Sequence, residues 1–237
     1  MRAVVRRAVA AAGAVGVLIG VLGACSSGAD SAPPAKSQET RRQTEPLSRA
    51  GLKKMLLAKS ELPETLAARY TQIWPTTTVG KRLKASESRC QPLADAIRPG
   101  STGHISAKTS QRFVETPEEF VTMDLVSYSS VKEASAVMDR LESAVPACPS
   151  PLRIGENSED SDPYRGARKK TVTGQGDQTV SYYLRKVSYA DHHESPELFV
   201  HIRVGNVIAT FKRYASYKDN VIPPALIRAQ THKIQTT

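Results

Sequence analysis

The chain has no long apolar run beyond its first 24 residues, and this absence excludes a protein that crosses the membrane repeatedly with helices. It also lacks the sequence patterns G-x-S-x-G and H-E-x-x-H, a P-loop and a dinucleotide glycine fingerprint. Cysteine is scarce, with three in 237 residues and no C-x-x-C pair, so a thiol redox function has no support. We therefore predict a protein that is not an enzyme and needs no cofactor.

The apolar run at the N-terminus has the design of an export signal. Arg2, Arg6 and Arg7 precede a stretch, Ala8–Ala24, that carries no charge over 17 residues. That length suits a signal-peptide core and is short for a bilayer-spanning helix, which needs about 20 residues. The run closes on Leu22-Gly23-Ala24-Cys25, which resembles a bacterial lipobox. We predict that residues 1–24 are removed and that the Cys25 thiol carries the lipid anchor.

The segment that follows the lipobox is predicted to be a tether. Residues 26–46 contain no Leu, Ile, Val or aromatic residue, so they bury too little apolar area to offset the entropy of ordering. The predicted organisation is a signal peptide over 1–24, a lipidated cysteine and disordered tether over 25–46, and one extracytoplasmic domain over 47–237. The predicted location is the outer face of the cell membrane.

The remaining two cysteines form an even pair once Cys25 is acylated. Cys90 and Cys148 are expected to form a disulfide in an oxidising compartment. The chain is also basic, with a formal charge of +10 that falls to +7 when the leader is removed. An exported protein does not normally meet nucleic acid, so the expected opposite charges are anionic lipids and envelope polymers, or the charge is that of an ordinary soluble surface.

Hydrophobic periodicity predicts the α+β class, with a single twisted antiparallel sheet and helices packed on one face. An opening helix is capped by Ser48 and ends at Leu62-Pro63, and a strand runs from Glu119 to Tyr128. Ser130 and Glu133 form a capping box for an amphipathic helix that Pro146 stops. The segment 90–111 is ambiguous apart from one helical turn near Leu93, and residues 155–168 are predicted to be a loop.

The strongest pattern lies near the C-terminus. Leu198–Val204 and Val207–Tyr214 are separated by Gly205-Asn206, which suits a two-residue hairpin turn. The predicted register opposes Val204 to Val207, so that one sheet face is continuously apolar. A strand from Thr179 to Tyr189 precedes the hairpin, and a helix follows Pro223-Pro224.

The other sheet face provides the candidate binding residues. Basic and aromatic side chains there are expected to form either an ordinary solvated surface or a site for an anionic amphiphile such as a lipid headgroup or muropeptide. The candidates are Tyr183, Arg185, Phe199, His201, Arg203 and Lys212. A metal site is not predicted, although Asp191-His192-His193-Glu194 is the densest set of potential ligands.

Three features together resemble the PknH-like extracellular sensor domain family of actinobacterial lipoproteins. They are the opening helix that ends at Leu62-Pro63, the Ala-rich helix before Cys148, and the hairpin Arg203-Val204-Gly205-Asn206. The resemblance covers residues 47–236 and implies an antiparallel sheet with helices, a groove, and binding or sensing without catalysis. The family commonly has two disulfides, whereas this chain can make one.

Three functional hypotheses follow. The leading one is a membrane-anchored binding or sensor module for an unidentified envelope ligand or partner protein. The second is a carrier of lipid or glycolipid with an apolar cavity. The third is a metal-dependent hydrolase built around His192 and His193.

Overall fold

The structure is a computed structural model that describes residues 44–76, 81–99, 105–148, 150–157, 162–173, 176–187, 194–214 and 220–237. All of these lie in one compact unit, Gln38–Thr237. Within the described ranges, no helix combines the length and the apolar character that crossing a membrane requires.

Five helices and nine strands in the described residues confirm the α+β class. The helices are α1 Arg49–Lys54, α2 Glu64–Arg69, α3 Gln91–Ile97, α4 Val131–Ala147 and α5 Pro224–Thr236, with short 3-10 turns at Lys59–Glu61 and Ser88–Cys90. The strands are β1 Gln72–Thr76, β2 Lys84–Ala85, β3 Ile105–Val114, β4 Phe120–Tyr128, β5 Leu152–Gly155, β6 Asp162–Lys169, β7 Gln178–Val187, β8 Glu194–Val204 and β9 Val207–Tyr214.

The nine strands form one open antiparallel sheet in the order β1-β3-β4-β9-β8-β7-β6-β5-β2. The hairpin of β8 and β9 lies near the centre, and its register is the predicted one, with Val204 opposite Val207 and Val200 opposite Phe211. Gly205 adopts a left-handed φ of 58°, which glycine reaches without steric cost. At the two edges, β1 contains Pro75 and β2 has only two residues.

The sheet has a hydrophobic core on each face, because alternate residues of the central strands are buried on opposite sides. Val200, Ile202 and Ala209 pack against α1 and α5, and we call this side the packed face. Phe199 and Ile208 pack toward α3 and α4, and we call this side the cavity face. The single antiparallel sheet is confirmed, but the placement of all helices on one face is corrected: the second face is apolar enough to need its own cover.

Buried polar side chains tie the packed face together. The Gln230 amide of α5 donates to the Met55 carbonyl at 2.7 Å, and the Gln111 amide of β3 donates to the Leu57 carbonyl at 2.6 Å. Lys233 donates to the Leu56 carbonyl at 2.7 Å. These bonds satisfy the irregular backbone after α1, which would otherwise be buried without partners.

On the cavity face, a covalent bond links the two helices. The predicted Cys90–Cys148 disulfide is present, with the two Cα atoms 5.4 Å apart. Cys90 directly precedes α3 and Cys148 directly follows α4, so the bond joins the start of one helix to the end of the other. The Ser130 hydroxyl accepts from the Glu133 amide at 3.2 Å, which confirms the predicted cap of α4.

The predicted opening helix is shorter than expected. Ser48 caps α1 as predicted, since its hydroxyl accepts from the Gly51 amide at 3.1 Å, but α1 ends at Lys54. The chain then forms a 3-10 turn and a second helix, α2, that begins directly after Pro63. Proline disfavours a helix before it and suits a helix start after it.

Two strands correct the sequence-based prediction. The ambiguous segment 90–111 contains most of β3, which pairs with β4 with one irregularity between Ile105 and Ala107. The predicted loop at 155–168 contains most of β6. Both strands carry many charged and hydroxyl side chains, and β6 pairs irregularly with β7 between Tyr164 and Ala167. This composition hides the alternation that would have revealed them.

Candidate functional site

A cavity of about 280 Å³ lies between α3, α4 and the cavity face of the sheet. Its floor consists of side chains from the central strands, namely Tyr128 of β4, His201 of β8, and Ile208 and Thr210 of β9. Their places follow from the register, in which Thr210 is directly opposite both Asp124 and His201. The disulfide therefore joins the two helices that wall the cavity.

The walls of the cavity are mostly apolar. Met138 and Leu141 of α4 face Pro92 and Ala96 of α3 across it. Met138 and Leu141 are one α-helical turn apart and belong to the apolar face that the sequence predicts for α4. This lining favours a ligand with an apolar body.

His201 is one of the polar residues at the floor of the cavity. Its side chain is only 2% exposed, its Nδ1 lies 3.0 Å from the Thr210 hydroxyl, and its Nε2 has no hydrogen-bond partner among the described residues. Tyr182 stacks on the imidazole ring with centroids 5.6 Å apart. Burial lowers the pKa of His201 to about 3, so the ring is neutral at physiological pH.

The rim of the cavity is charged. Arg82 holds both carboxylate oxygens of Asp95 at 2.9 Å, and the Gln91 amide donates to the same carboxylate at 2.9 Å. Arg140 of α4 is exposed at this rim, and it forms no ion pair within the described part of the chain. The rim thus has a surplus of positive charge.

A second, more polar groove of about 520 Å³ lies farther along the same face. Arg98 pairs with Glu156 at 2.6 Å and Lys186 pairs with Asp162 at 2.7 Å in its lining. Glu197 also lines it, and burial raises the pKa of that carboxyl. Its charges largely satisfy one another, so it presents less unpaired recognition chemistry than the apolar cavity.

The six predicted binding residues do not form one surface. Phe199, His201, Arg203 and Lys212 lie on the cavity face, whereas Tyr183 and Arg185 lie on the packed face, because their register partners are Leu198 and Pro196. This corrects the expectation of a shared exposed surface, and it has a simple cause. Neighbouring residues of a strand point to opposite faces of the sheet. The six predicted residues include side chains from both faces, because Tyr183 and Arg185 of β7 point away from the face that carries the other four.

Burial and ion pairing divide the six residues further. His201 lines the apolar cavity and Lys212 lines the polar groove. Phe199 is fully buried and stacks on Tyr182 with centroids 5.2 Å apart. Arg203 donates to Asp177 at 3.0 Å and Arg185 donates to Glu194 at 2.8 Å.

Sequence reasoning missed most of the cavity lining. The sequence patterns place Ile208 on the outer face of the hairpin, Tyr128 on the less apolar face of its strand and Met138 on the apolar face of α4. They do not single out Arg82, Asp95 or Arg140. A usable indication existed, because Phe199 and Ile208 make the second face of the hairpin apolar as well. A strand pair that is apolar on both faces predicts cover on both faces.

Cys25, His192 and His193 lie outside the described residues, and so does the predicted signal peptide over residues 1–24. Asp124 of β4 is largely buried: its side chain is 13% exposed, and its carboxylate lies 3.4 Å from the Lys108 ammonium. Within the described residues, no group of three or more His, Cys, Asp or Glu side chains is placed to hold a metal ion.

These features define an α+β domain with a ligand-sized apolar cavity between two cross-linked helices and one face of an open sheet. No family model and no curated protein sequence matches the chain. Its fold resembles that of the extracellular domain of PknH from Mycobacterium tuberculosis, with a TM-score of 0.55 and 13% sequence identity. That match covers 81% of this chain and 96% of the PknH domain.

A second solved structure is a weaker match. It is an uncharacterized protein of Mycobacterium smegmatis, the Rv0999 ortholog, with a TM-score of 0.38 and 7% identity. The alignment covers 74% of this chain and all of that one. The likeness to the PknH domain confirms the predicted resemblance at the level of the fold.

Proposed function

We propose that the chain is a membrane-anchored extracytoplasmic module without catalytic function. It senses or binds a small envelope ligand in the cavity between α3, α4 and the sheet. The observation that carries the proposal is His201, which lines an apolar cavity and whose buried Nε2 has no hydrogen-bond partner among the described residues. A buried polar atom that lacks a partner costs free energy, which a ligand can recover. The fold of an extracellular domain supports the proposed location.

The chemistry of the lining favours binding over catalysis. A general base works best with a pKa near the working pH, and burial keeps that of His201 far below it. The Asp95 carboxylate is held by Arg82 and Gln91. The lining therefore offers shape and hydrogen-bonding groups, which suit the binding of a ligand.

The size of the cavity favours a small ligand over the alternative of a carrier for long-chain lipids. An apolar cavity of about 150 Å³ binds benzene. By the same proportion, a cavity of about 280 Å³ holds fewer than twice as many non-hydrogen atoms as benzene contains. A long acyl chain contains more atoms than that. A carrier would need a larger enclosed volume.

Native mass spectrometry of the full-length protein, purified from its own envelope, tests the proposal. The wild type is expected to retain a small extra mass above that of the acylated chain. Ala96→Trp, which fills the cavity from α3, should lose it, whereas Val221→Trp, at an exposed site, should keep it. A bare wild type, or equal retention in Ala96→Trp, would contradict the proposal.

Anchoring is tested separately through Cys25→Ser. The variant lacks the thiol that would carry the lipid, so it should be found in the medium or the soluble envelope fraction. The measurement is fractionation with metabolic acyl labelling. A variant that stays labelled and membrane-bound would refute anchoring while leaving ligand binding intact.

A further inference from the structure

We propose that the ligand is a small anionic amphiphile: a compact apolar body whose uncharged hydroxyl bonds to His201 Nε2 and whose anionic end stays at the rim beside Arg140. This inference rests on the proposed function and gives the chemical class of the ligand. Three features of the cavity carry it, namely its volume, its floor and its rim.

The volume limits the apolar body to about the size of two fused rings. Since benzene, with six carbon atoms, occupies an apolar cavity of about 150 Å³, a cavity of about 280 Å³ suits about eleven non-hydrogen atoms. Met138, Leu141 and Ile208 provide the flexible and branched surfaces for such a body. A bicyclic ring or a chain of up to about ten carbons fits this volume.

The floor requires an uncharged hydrogen-bonding group. Thr210 holds His201 Nδ1 at 3.0 Å, so the opposite nitrogen is left for a ligand. The Thr210 hydroxyl can donate to Nδ1 or accept from it, so Nε2 is a donor in one tautomer and an acceptor in the other. A ligand hydroxyl satisfies Nε2 in both cases. A wholly apolar ligand would leave Nε2 buried and unpaired.

The positive charge at the rim favours a ligand whose exposed end is anionic. Arg82 is neutralised by Asp95, whereas Arg140 is not paired within the described residues. Burial raises the pKa of Tyr128, and the positive charge of Arg140 opposes that rise. The electrostatic attraction of the Arg140 guanidinium therefore reaches the Tyr128 phenol at the cavity floor. A carboxylate or phosphate at the mouth would gain this attraction, and an ammonium group would be repelled.

The test uses naphthalene probes and the mature-length chain, residues 25–237, with Cys25→Ser so that no detergent is needed. The probes are 6-hydroxy-2-naphthoate, which has both groups, 2-naphthoate, which lacks the hydroxyl, and 2-naphthol, which lacks the carboxylate. Titration calorimetry at neutral pH measures each Kd. The complete probe should bind about five- to tenfold tighter than 2-naphthoate and about two- to fivefold tighter than 2-naphthol.

Matched variants assign each preference to its residue. His201→Phe should remove the preference for the hydroxyl, and Arg140→Gln should remove the preference for the carboxylate. The controls are His232→Gln and Arg228→Gln, two exposed sites on α5 that should keep both preferences. Because Arg140 is exposed, its variant tests the rim even if His201→Phe does not fold.

Two outcomes would overturn the ligand class. One is equal affinity for all three probes, and the other is tighter binding of 2-naphthylmethylammonium than of 2-naphthoate. If no probe binds although the envelope-purified protein retains an extra mass, the class is wrong and the binding function stands. If no probe binds and the envelope protein is bare, both proposals fail.

Discussion

The packed face and the cavity face of the same sheet are covered in different ways. On the packed face, α1 and α5 close over a continuous core, and buried amides of Gln111 and Gln230 satisfy the irregular backbone between them. On the cavity face, α3 and α4 leave a cavity, and the buried Nε2 of His201 in its lining has no partner in the part of the chain that the structure describes. The packed face also has buried polar atoms without hydrogen-bond partners among the described residues, namely Tyr70 OH, Gln111 Oε1 and Gln230 Oε1. The two covers therefore differ in the cavity that only the second one leaves against the sheet, and that cavity is where a ligand would add contacts.

The difference also extends to how each cover is held. The packed face relies on noncovalent contacts, whereas the cavity face has the Cys90–Cys148 disulfide. A cover that encloses empty volume loses dispersion contacts, and a covalent link between its two helices compensates for part of that loss. The comparison therefore predicts different sensitivities for the two faces.

Removal of the disulfide should have the broadest effect, because it should change both the stability of the protein and the binding of the probes. Cys90→Ser combined with Cys148→Ser opens a loop with a sequence separation of 58 and should lower the free energy of unfolding by about 4 kcal/mol in the chain-entropy model. Probe binding should weaken as well, because α3 and α4 wall the cavity. Urea unfolding and calorimetry measure the two effects. Unchanged probe affinity in a folded double variant would show that the disulfide does not maintain the cavity.

Truncation of two isoleucines of the central hairpin, one on each face, directly compares how tightly the two faces are packed. Ile202→Ala, on the packed face, should lower the free energy of unfolding by about 4 kcal/mol, toward the upper part of the range for buried isoleucine. Ile208→Ala, beside the existing cavity, should cost about 2 kcal/mol, because its side chain has fewer neighbours to lose. Urea unfolding measures both, and a reversed order would contradict the difference in packing.

Lowering the pH should destabilise the protein through His201, which lies on the cavity face. Its pKa is about 3 when folded, against an ordinary value of 6.5, so the unfolded chain binds more protons between these values. Stability should therefore fall as the pH drops below 6.5, by about 2 kcal/mol at pH 5. Urea unfolding from pH 7 to pH 4 measures this. His201→Phe should flatten the dependence, and His232→Gln, at an exposed site on α5, is the control that should retain it.

Removal of a helix cap on each face should have the smallest effect on stability. Ser48→Ala and Ser130→Ala each remove one hydroxyl that accepts from a helix amide, at 3.1 Å and 3.2 Å, and each should cost about 1 kcal/mol. Only Ser130 caps a helix that walls the cavity, so Ser130→Ala alone should weaken binding of 6-hydroxy-2-naphthoate. Equal effects on binding would mean that the two covers are mechanically coupled.

Local patterns in the sequence were sufficient to predict much of this fold. The register of the hairpin followed from Gly205-Asn206 and the flanking alternation, and α4 followed from its capping box and apolar spacing. Both predictions rest on contacts between neighbours in sequence or across a two-residue turn. The helix α5 was located for the same reason, from its prolines and its apolar face.

The cavity could not be predicted in this way because it depends on distant segments. Its floor joins Tyr128 to His201 and its walls join Ala96 to Leu141, and no local period encodes the gap between them. The strand β3 was missed for a related reason. Its Lys108, Ser110 and Arg112 are charged or hydroxylated, and the sheet alone brings them into register with β4.

The edges of the sheet bear on how many copies can share a membrane. Proteins anchored to one lipid surface diffuse in two dimensions and meet side by side, which favours pairing of exposed strands between copies. Here β1 contains Pro75, which has no amide hydrogen to donate, and β2 offers only two residues to a neighbour. If the protein is tethered as we propose, its sheet has edges that suit dense coverage of a membrane by separate molecules.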